Sequence, residues 1–437
     1  MSDNKTISRF MIAGTNSGSG KTTFTLAVLR ALKRRGLSAA PFKCGPDYID
    51  PLFHRQAAGV TSWNLDPFFG SEPEFFRRAA GHDAAVAEGV MGLFDGIHPD
   101  RMEGSCAETA AKLGIPVILT VNAQGISGSI APLVKGFAEW HPGVKILGVF
   151  AGKVGSARHA GLLKTALAAA GLPPLLGYLV RDERWTLPER HLGLTVGKLD
   201  DAWLDALAAE FEAGADLNLL LELSRASLPA VPPEVFPAPS LRLGVAQDEA
   251  FCFYYEANLT ALRRNGVEIV PFSPLHDRVL PENLNGLYLG GGSPELYSKE
   301  LNANAPMLDS IRSFAQDHFV YGECGGYLFL LESLEDFSSV TLPGLGLLPG
   351  HARMNRRLAS LGYREVSGEW GRGRGHEFHY SSLTGPPPGP YLWHAADKHG
   401  RESDCGGIRG NVCGSYIHLY FADSAELLQS FIARLAE

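Results

Sequence analysis

Gly14-Thr15-Asn16-Ser17-Gly18-Ser19-Gly20-Lys21-Thr22-Thr23 decides how the first half of this chain is read. The stretch follows an apolar run at 9–13 and opens a helical pattern at 22–35. In that context a glycine-rich loop binds phosphate. Its glycines let backbone N–H groups point inward, and the helix start adds the positive end of a dipole. Lys21 is placed to reach the outer phosphates of a nucleotide and the Thr22 hydroxyl to ligate Mg²⁺, with Gly18, Gly20 and Thr23 completing the ATP-binding loop. The first glycine stands six residues before Gly20, and Thr15 occupies its usual place. A turn that merely begins a helix is the plain alternative. Strand, loop, Gly-Lys-Thr-Thr and helix in this order argue against it.

Outward from the loop, apolar runs at 39–43, 84–88, 116–122 and 145–151 alternate with helical patterns. Runs rich in Val, Ile and Ala between helices predict a parallel sheet covered on both faces. Residues 224–240 then hold five prolines in 17 positions. Proline fixes φ and removes a donor, so this run is read as a linker free of helix and sheet. Beyond it the alternation restarts, with strands at 241–246, 267–272, 284–289 and 319–322 and a helix at 256–264. The predicted fold is therefore α/β with two doubly wound domains, 1–223 and 241–437.

Composition bounds the rest. The chain has 437 residues, a net charge of −8, 45% hydrophobic and 20% charged residues, which excludes global disorder. A mildly acidic total argues against a nucleic-acid binder. The six cysteines are scattered without a CxxC pair, so neither a disulfide framework nor a zinc ribbon is expected. No run of about 18 apolar residues exists, so no membrane span is expected. The polar start is too short for a signal segment, and a cytoplasmic protein is expected.

Carboxylates cluster where such a sheet binds ligands. KCGPDYIDPLFH (43–54) and AEGVMGLFDG (87–96) both lie at carboxyl ends of strand candidates, outside which open α/β sheets bind. Mg²⁺ takes oxygen ligands and needs one or two carboxylates beside phosphate. Asp47 and Glu88 are assigned to the metal with Thr22, and Asp47, Tyr48, Asp50 and Asp95 to the substrate. The bland alternative for any one aspartate is a turn or a cap.

GECGGY sets Cys324 between Gly322 and Gly326, after an apolar strand. This is the thiol counterpart of a nucleophile elbow. Small neighbours permit the strained turn, and backbone N–H groups of Gly325 and of Gly292, in LGGGSPE, can hold an oxyanion. The helix start is expected to lower the thiol pKa. His418, in SYIHLYF, is the candidate base, since such pairs are defined by geometry rather than chain order. An inert packing cysteine is the plain alternative. Six arginines between Arg353 and Arg374 are either a solvated surface or a receptor for a polycarboxylate. His376 and His379 lack the spacing of a zinc helix.

The phosphate loop resembles those of dethiobiotin synthetase and of partition-type ATPases, although Asn16 stands where the latter carry a signature lysine. GTNSGSGKTT, KCGPDYIDPLFH, EGVMGLFDG, LPERHLGL, LGGGSPE, GECGGY, RGHEFHYS and SYIHLYF occur in this order from 10 to about 421. As a set they resemble the cobyrinic acid a,c-diamide synthase family of cobalamin biosynthesis. The resemblance implies a P-loop NTPase-like ligase domain joined to a class I glutamine amidotransferase-like domain. It further implies ATP, Mg²⁺, glutamine and a corrinoid polycarboxylate as reactants, with a homodimer among the possible assemblies. His191, in LPERHLGL, is read as ordering a loop. Three positions depart from the family pattern. Tyr420 stands where triad amidotransferases usually carry Glu, Gly152 where the family often shows Asn, and Ser293 is a change in the oxyanion loop. His418 then acts without a carboxylate, or Glu377 or another group orients it. A nickel-sirohydrochlorin amidase and a partition-type switch with an inactive appended domain are the rival readings.

Overall fold

The structure, a computed structural model, describes residues 5–187, 199–385 and 389–437. His191 lies outside the described residues. The chain forms two compact units, Met1–Pro233 and Glu234–Glu437.

The first unit runs β1 (Thr6–Gly14), α1 (Lys21–Arg34), β2 (Ala39–Cys44), α2 (Ile49–Ala58), β3 (Trp63–Leu65), α3 (Glu72–Ala79) and β4 (Ala84–Gly92). It continues α4 (Cys106–Leu113), β5 (Val117–Asn122), α5 (Ile130–Glu139), β6 (Ile146–Val154), α6 (Ala157–Ala169), β7 (Leu175–Val180), α7 (Asp201–Gly214), α8 (Leu217–Leu223) and β8 (Arg225–Ser227). Seven strands are parallel in the order β3-β2-β4-β1-β5-β6-β7. All six residues of β2 are buried, as helices on both faces require. Phe24 of α1 stacks on Phe150 of β6 at 5.0 Å and meets Phe211 of α7 edge-on, fixing the helix that carries the loop.

One expectation needs correction. The run from 224 is not free of sheet, because β8 pairs antiparallel with Thr6–Ser8 of β1. The reason is local: Arg225, Ala226 and Ser227 precede the first proline of the run, Pro229, and keep their N–H groups.

The second unit has a six-stranded sheet, in the order Val267–Phe272, Leu241–Ala246, Gly286–Leu289, Phe319–Glu323, Val412–Ser415 and Gly407–Arg409. Its first five strands are parallel and the last is antiparallel. Two more sheets follow the elbow. The larger is antiparallel, in the order Glu402–Cys405, Trp393–Asp397, Ser360–Gly368, Gly371–His379 and His418–Leu419. Its last pairing sets His376 opposite His418. A core of Tyr288, Tyr321, Trp370, Trp393, Phe421 and Phe431 holds the two sheets together.

Candidate active sites

Strand register builds the first site. Lys43 of β2, Glu88 of β4 and Ile12 of β1 lie abreast on three adjacent strands, just short of the phosphate loop. The loop itself depends on its glycines. Gly20 caps α1 at φ +96°, and a Cβ on Gly14 would sit 2.0 Å from Ser19 Oγ. The close approach therefore falls at Gly14, which accounts for the displaced first glycine. Lys21 Nζ donates to the Asn16 carbonyl at 3.2 Å across the loop. Burial, followed by repulsion from Lys43, lowers the Lys21 pKa.

Glu88 is the hub. It is fully buried, and its Oε1 accepts from the Thr22 hydroxyl at 2.7 Å and from Lys43 Nζ at 2.9 Å. Its Oε2 meets His54 Nε2 at 2.6 Å, and His54 Nδ1 shares a hydrogen bond with Ser62 at 3.0 Å. Lys43 also pairs with Asp50 at 2.6 Å and donates to the Gly89 carbonyl at 3.1 Å. Burial opposes the charges of both Lys43 and Glu88. Asp50 and Glu88 nevertheless hold the Lys43 pKa well above its ordinary value, while Lys43 and His54 hold Glu88 well below its own. Thr22 and Glu88 present hard oxygen donors side by side at the loop, a set that suits Mg²⁺.

The other assigned residues sit differently. Asp47 Oδ1 accepts the N–H groups of Ile49 and Asp50, capping α2, and Tyr48 is the residue before that helix. Asp95 is exposed and holds the N–H of Gly92 at 2.7 Å. Lys43 and His54 stand inside a quoted motif, yet reading the sequence gave them no role. The available signal was a lysine closing a wholly apolar strand.

The second site forms at the end of Phe319–Glu323. Cys324 adopts φ +49°, ψ −107°, a left-handed conformation unusual for a side chain with a Cβ. Its N–H donates to Ser415 O at 2.8 Å. A Cβ on Gly325 would lie 2.7–2.9 Å from the O and N of Gly292, so the two proposed oxyanion glycines are in direct contact. Ser293, next in that loop, is buried with no hydrogen bond to its hydroxyl. A Cβ on Gly291 would reach His418 Cε1 at 2.3 Å, which places the imidazole against the same loop.

The expectation of an acidified thiol is not met. Burial, with Glu295, Glu323 and Glu377 nearby, pushes the Cys324 pKa well up and outweighs the Gly325 N–H. His418 is driven down to about 3 by burial and by the neighbouring His376 and His379. The resting pair is therefore neutral thiol and neutral imidazole. Glu377 is engaged elsewhere, by Arg364 at 2.7 Å and by His379 at 2.7 Å. Arg374 pairs with Asp423 at 3.3 Å, so of the arginine-rich segment Arg353, Arg356, Arg357 and Arg372 remain the exposed candidates for binding acids. Among the described residues no group of three or more His, Cys, Asp or Glu is arranged to hold a metal ion.

The strained elbow makes a prediction. Glycine usually costs about 0.5–1 kcal/mol relative to alanine, while a residue held at an unfavourable φ costs on the order of 1–3 kcal/mol. Cys324→Gly should therefore unfold at a temperature equal to or above that of Cys324→Ala in calorimetry. A clear advantage for the alanine variant would show that the turn stores no strain.

A nucleotide loop on one unit and a thiol on a strand-to-helix elbow on the other are the arrangement of an amidotransferase-type ligase. Residues 10–194 match the CobQ/CobB/MinD/ParA nucleotide binding domain, and residues 242–426 match the CobB/CobQ-like glutamine amidotransferase domain. The chain belongs to the cobyrinate a,c-diamide synthase family. It is 40% identical over 451 aligned positions to the cobyrinate a,c-diamide synthase of Dehalococcoides mccartyi, covering 97% of each chain. It is 41% identical to the Salmonella typhimurium protein of the same name, again over 97% of each. A hydrogenobyrinate a,c-diamide synthase of Brucella melitensis is 41% identical, with 94% of this chain and 98% of that one aligned. Among the described residues no helix is long and apolar enough to cross a membrane.

Proposed function

We propose that this chain uses ATP and glutamine to convert the a and c carboxylates of a corrin macrocycle, cobyrinate or hydrogenobyrinate, into amides. One observation carries the reading. A single chain holds both a phosphate loop and a thiol elbow, and the relatives it matches over nearly its whole length are named for that reaction.

A carboxylate does not condense with ammonia in water, because hydroxide is a poor leaving group. Transfer of the γ-phosphoryl group of ATP to the carboxylate supplies a better one, and ammonia then displaces phosphate to leave the amide. Lys21 and the loop amides neutralise charge on the phosphates as the transfer proceeds. Mg²⁺, held by Thr22 and Glu88 with Asp47 near, would supply further neutralisation. Lys43, fixed by Asp50 and Glu88, is a rigid cation beside that centre, suited to an incoming carboxylate.

In the second unit Cys324 Sγ attacks the glutamine side-chain amide while its proton passes to His418. The N–H groups of Gly292 and Gly325 take the oxyanion. His418 returns the proton to the departing ammonia, leaving a glutamyl thioester that water hydrolyses.

The test is direct. Enzyme, ATP, Mg²⁺ and glutamine are incubated with cobyrinate, hydrogenobyrinate or nickel-sirohydrochlorin, and product masses are followed. Each carboxylate-to-amide conversion lowers the mass by about one unit, so a corrinoid shifted twice is the expected product. ATP turnover indifferent to macrocycle and glutamine would instead indicate a nucleotide switch.

A further inference from the structure

Glu323, the residue before the nucleophile, has no role in the mechanism above, yet it is the most enclosed acid of the second unit. It is 1% exposed and lies at the end of an otherwise apolar strand. Tyr288 OH donates to its Oε2 at 2.6 Å; Tyr321 OH and the Leu419 N–H donate to its Oε1 at 2.8 and 3.1 Å. The Leu419 bond ties the carboxylate to the residue after His418. Oε2 lies 3.9 Å from His418 Nδ1.

We propose that Glu323 is the positioning carboxylate of this amidotransferase site, acting on His418 from the strand before the nucleophile rather than from two residues after the histidine. Tyr420 occupies the latter place and packs its ring edge-on against Tyr255. At 3.9 Å the resting contact is longer than a hydrogen bond, which suits a neutral imidazole. When Cys324 passes its proton to His418, the imidazolium gains a counter-charge whose orientation three donors already fix. Thiolate and imidazolium form together; the proton moves from Sγ to the imidazole and the charge balance is unchanged.

Burial raises the Glu323 pKa to about 7, while Tyr288, Leu419 and Tyr321 pull it back. The titratable groups facing it are Tyr288, Tyr321 and Tyr254 from the sheet side and His418 from its own strand, with His376 opposite His418. All three tyrosines are raised further above neutrality, but Glu295, which acts on Cys324, is also raised to about 7 by burial, so the limb is assigned by comparison with Glu295→Gln, which should keep it. The deprotonated carboxylate is the active form, so glutaminase activity should rise with pH through about 7.

The inference rests on the glutaminase reading of Cys324, so Cys324→Ala is measured beside each variant. In Glu323→Gln, the kcat for glutamine hydrolysis should fall about 100-fold or more while KM for glutamine stays within about twofold. The limb near pH 7 should vanish, and ammonia-dependent amidation should keep its wild-type rate. If Glu323→Gln does not fold, Tyr321→Phe carries the test: it removes one donor to the carboxylate and should move the limb to higher pH. A wild-type kcat and pH profile in Glu323→Gln, or an unmoved limb in Tyr321→Phe, overturns the role of Glu323. Glutamine-dependent activity surviving in Cys324→Ala would overturn the underlying reading instead.

Discussion

Cys324→Ala is expected to lose glutamine-dependent amidation by about 10⁴-fold or more while keeping amidation driven by high ammonium concentrations. In the proposed mechanism Cys324 serves only to release ammonia, and every group assigned to phosphoryl transfer belongs to the other unit. Alanine retains the Cβ that the φ of +49° already accommodates, so the elbow should persist. The measurement is a pair of initial rates, one with glutamine and one with ammonium chloride, at saturating ATP. Loss of both activities in a folded variant would break the division of labour between the units.

Lys21→Ala and Glu88→Gln should instead remove amidation with either nitrogen source. Both act before ammonia enters. Loss of a cation on the transferring phosphoryl group is worth on the order of 10³-fold or more. Glu88→Gln carries a second penalty, because the amide cannot balance Lys43 and disturbs the contacts to Thr22 and His54. Breaking a buried pair in this way costs about 3–5 kcal/mol. Lys21→Ala should thus unfold near the wild-type temperature, and Glu88→Gln well below it. Wild-type ammonia-dependent turnover in either variant would remove that residue from the site.

Some parts of this molecule were legible in the sequence and others were not, for physical reasons. The phosphate loop and the cysteine elbow announce themselves because each needs backbone freedom at fixed offsets, and glycine is the visible trace of that need. The parallel strands showed as apolar runs because both of their faces are buried. Lys43, His54 and Glu323 were passed over because their roles come from neighbours distant along the chain: Lys43 meets Glu88 across a strand pairing, and Glu323 meets Leu419 almost a hundred residues away. A charged residue at the end of an apolar strand was the one available clue in both cases. The strands between 333 and 405 were missed because glycine and proline interrupt their alternation, and the short β8 because five prolines dominate its surroundings. Asp47 has a further job that its loop did not reveal, since its Oδ1 caps a helix.

The interlock around Glu88 also bears on how this protein can change over time. Lys43, Asp50, His54 and Glu88 come from β2, α2 and β4, are all nearly or fully buried, and each completes the bonding of another. Replacing any one alone strands a charge or a polar atom in the interior, at a cost of several kcal/mol, roughly a third of the whole margin of a typical domain. Two or three matched replacements could restore balance, but each ordering of them passes through a poorly folded ancestor. Because contacting residues do not contribute additively, the benefit arrives only with the last step. Descendants of this sequence should therefore inherit the four residues together or abandon them together, while the exposed arginines of the second unit are free to vary one at a time.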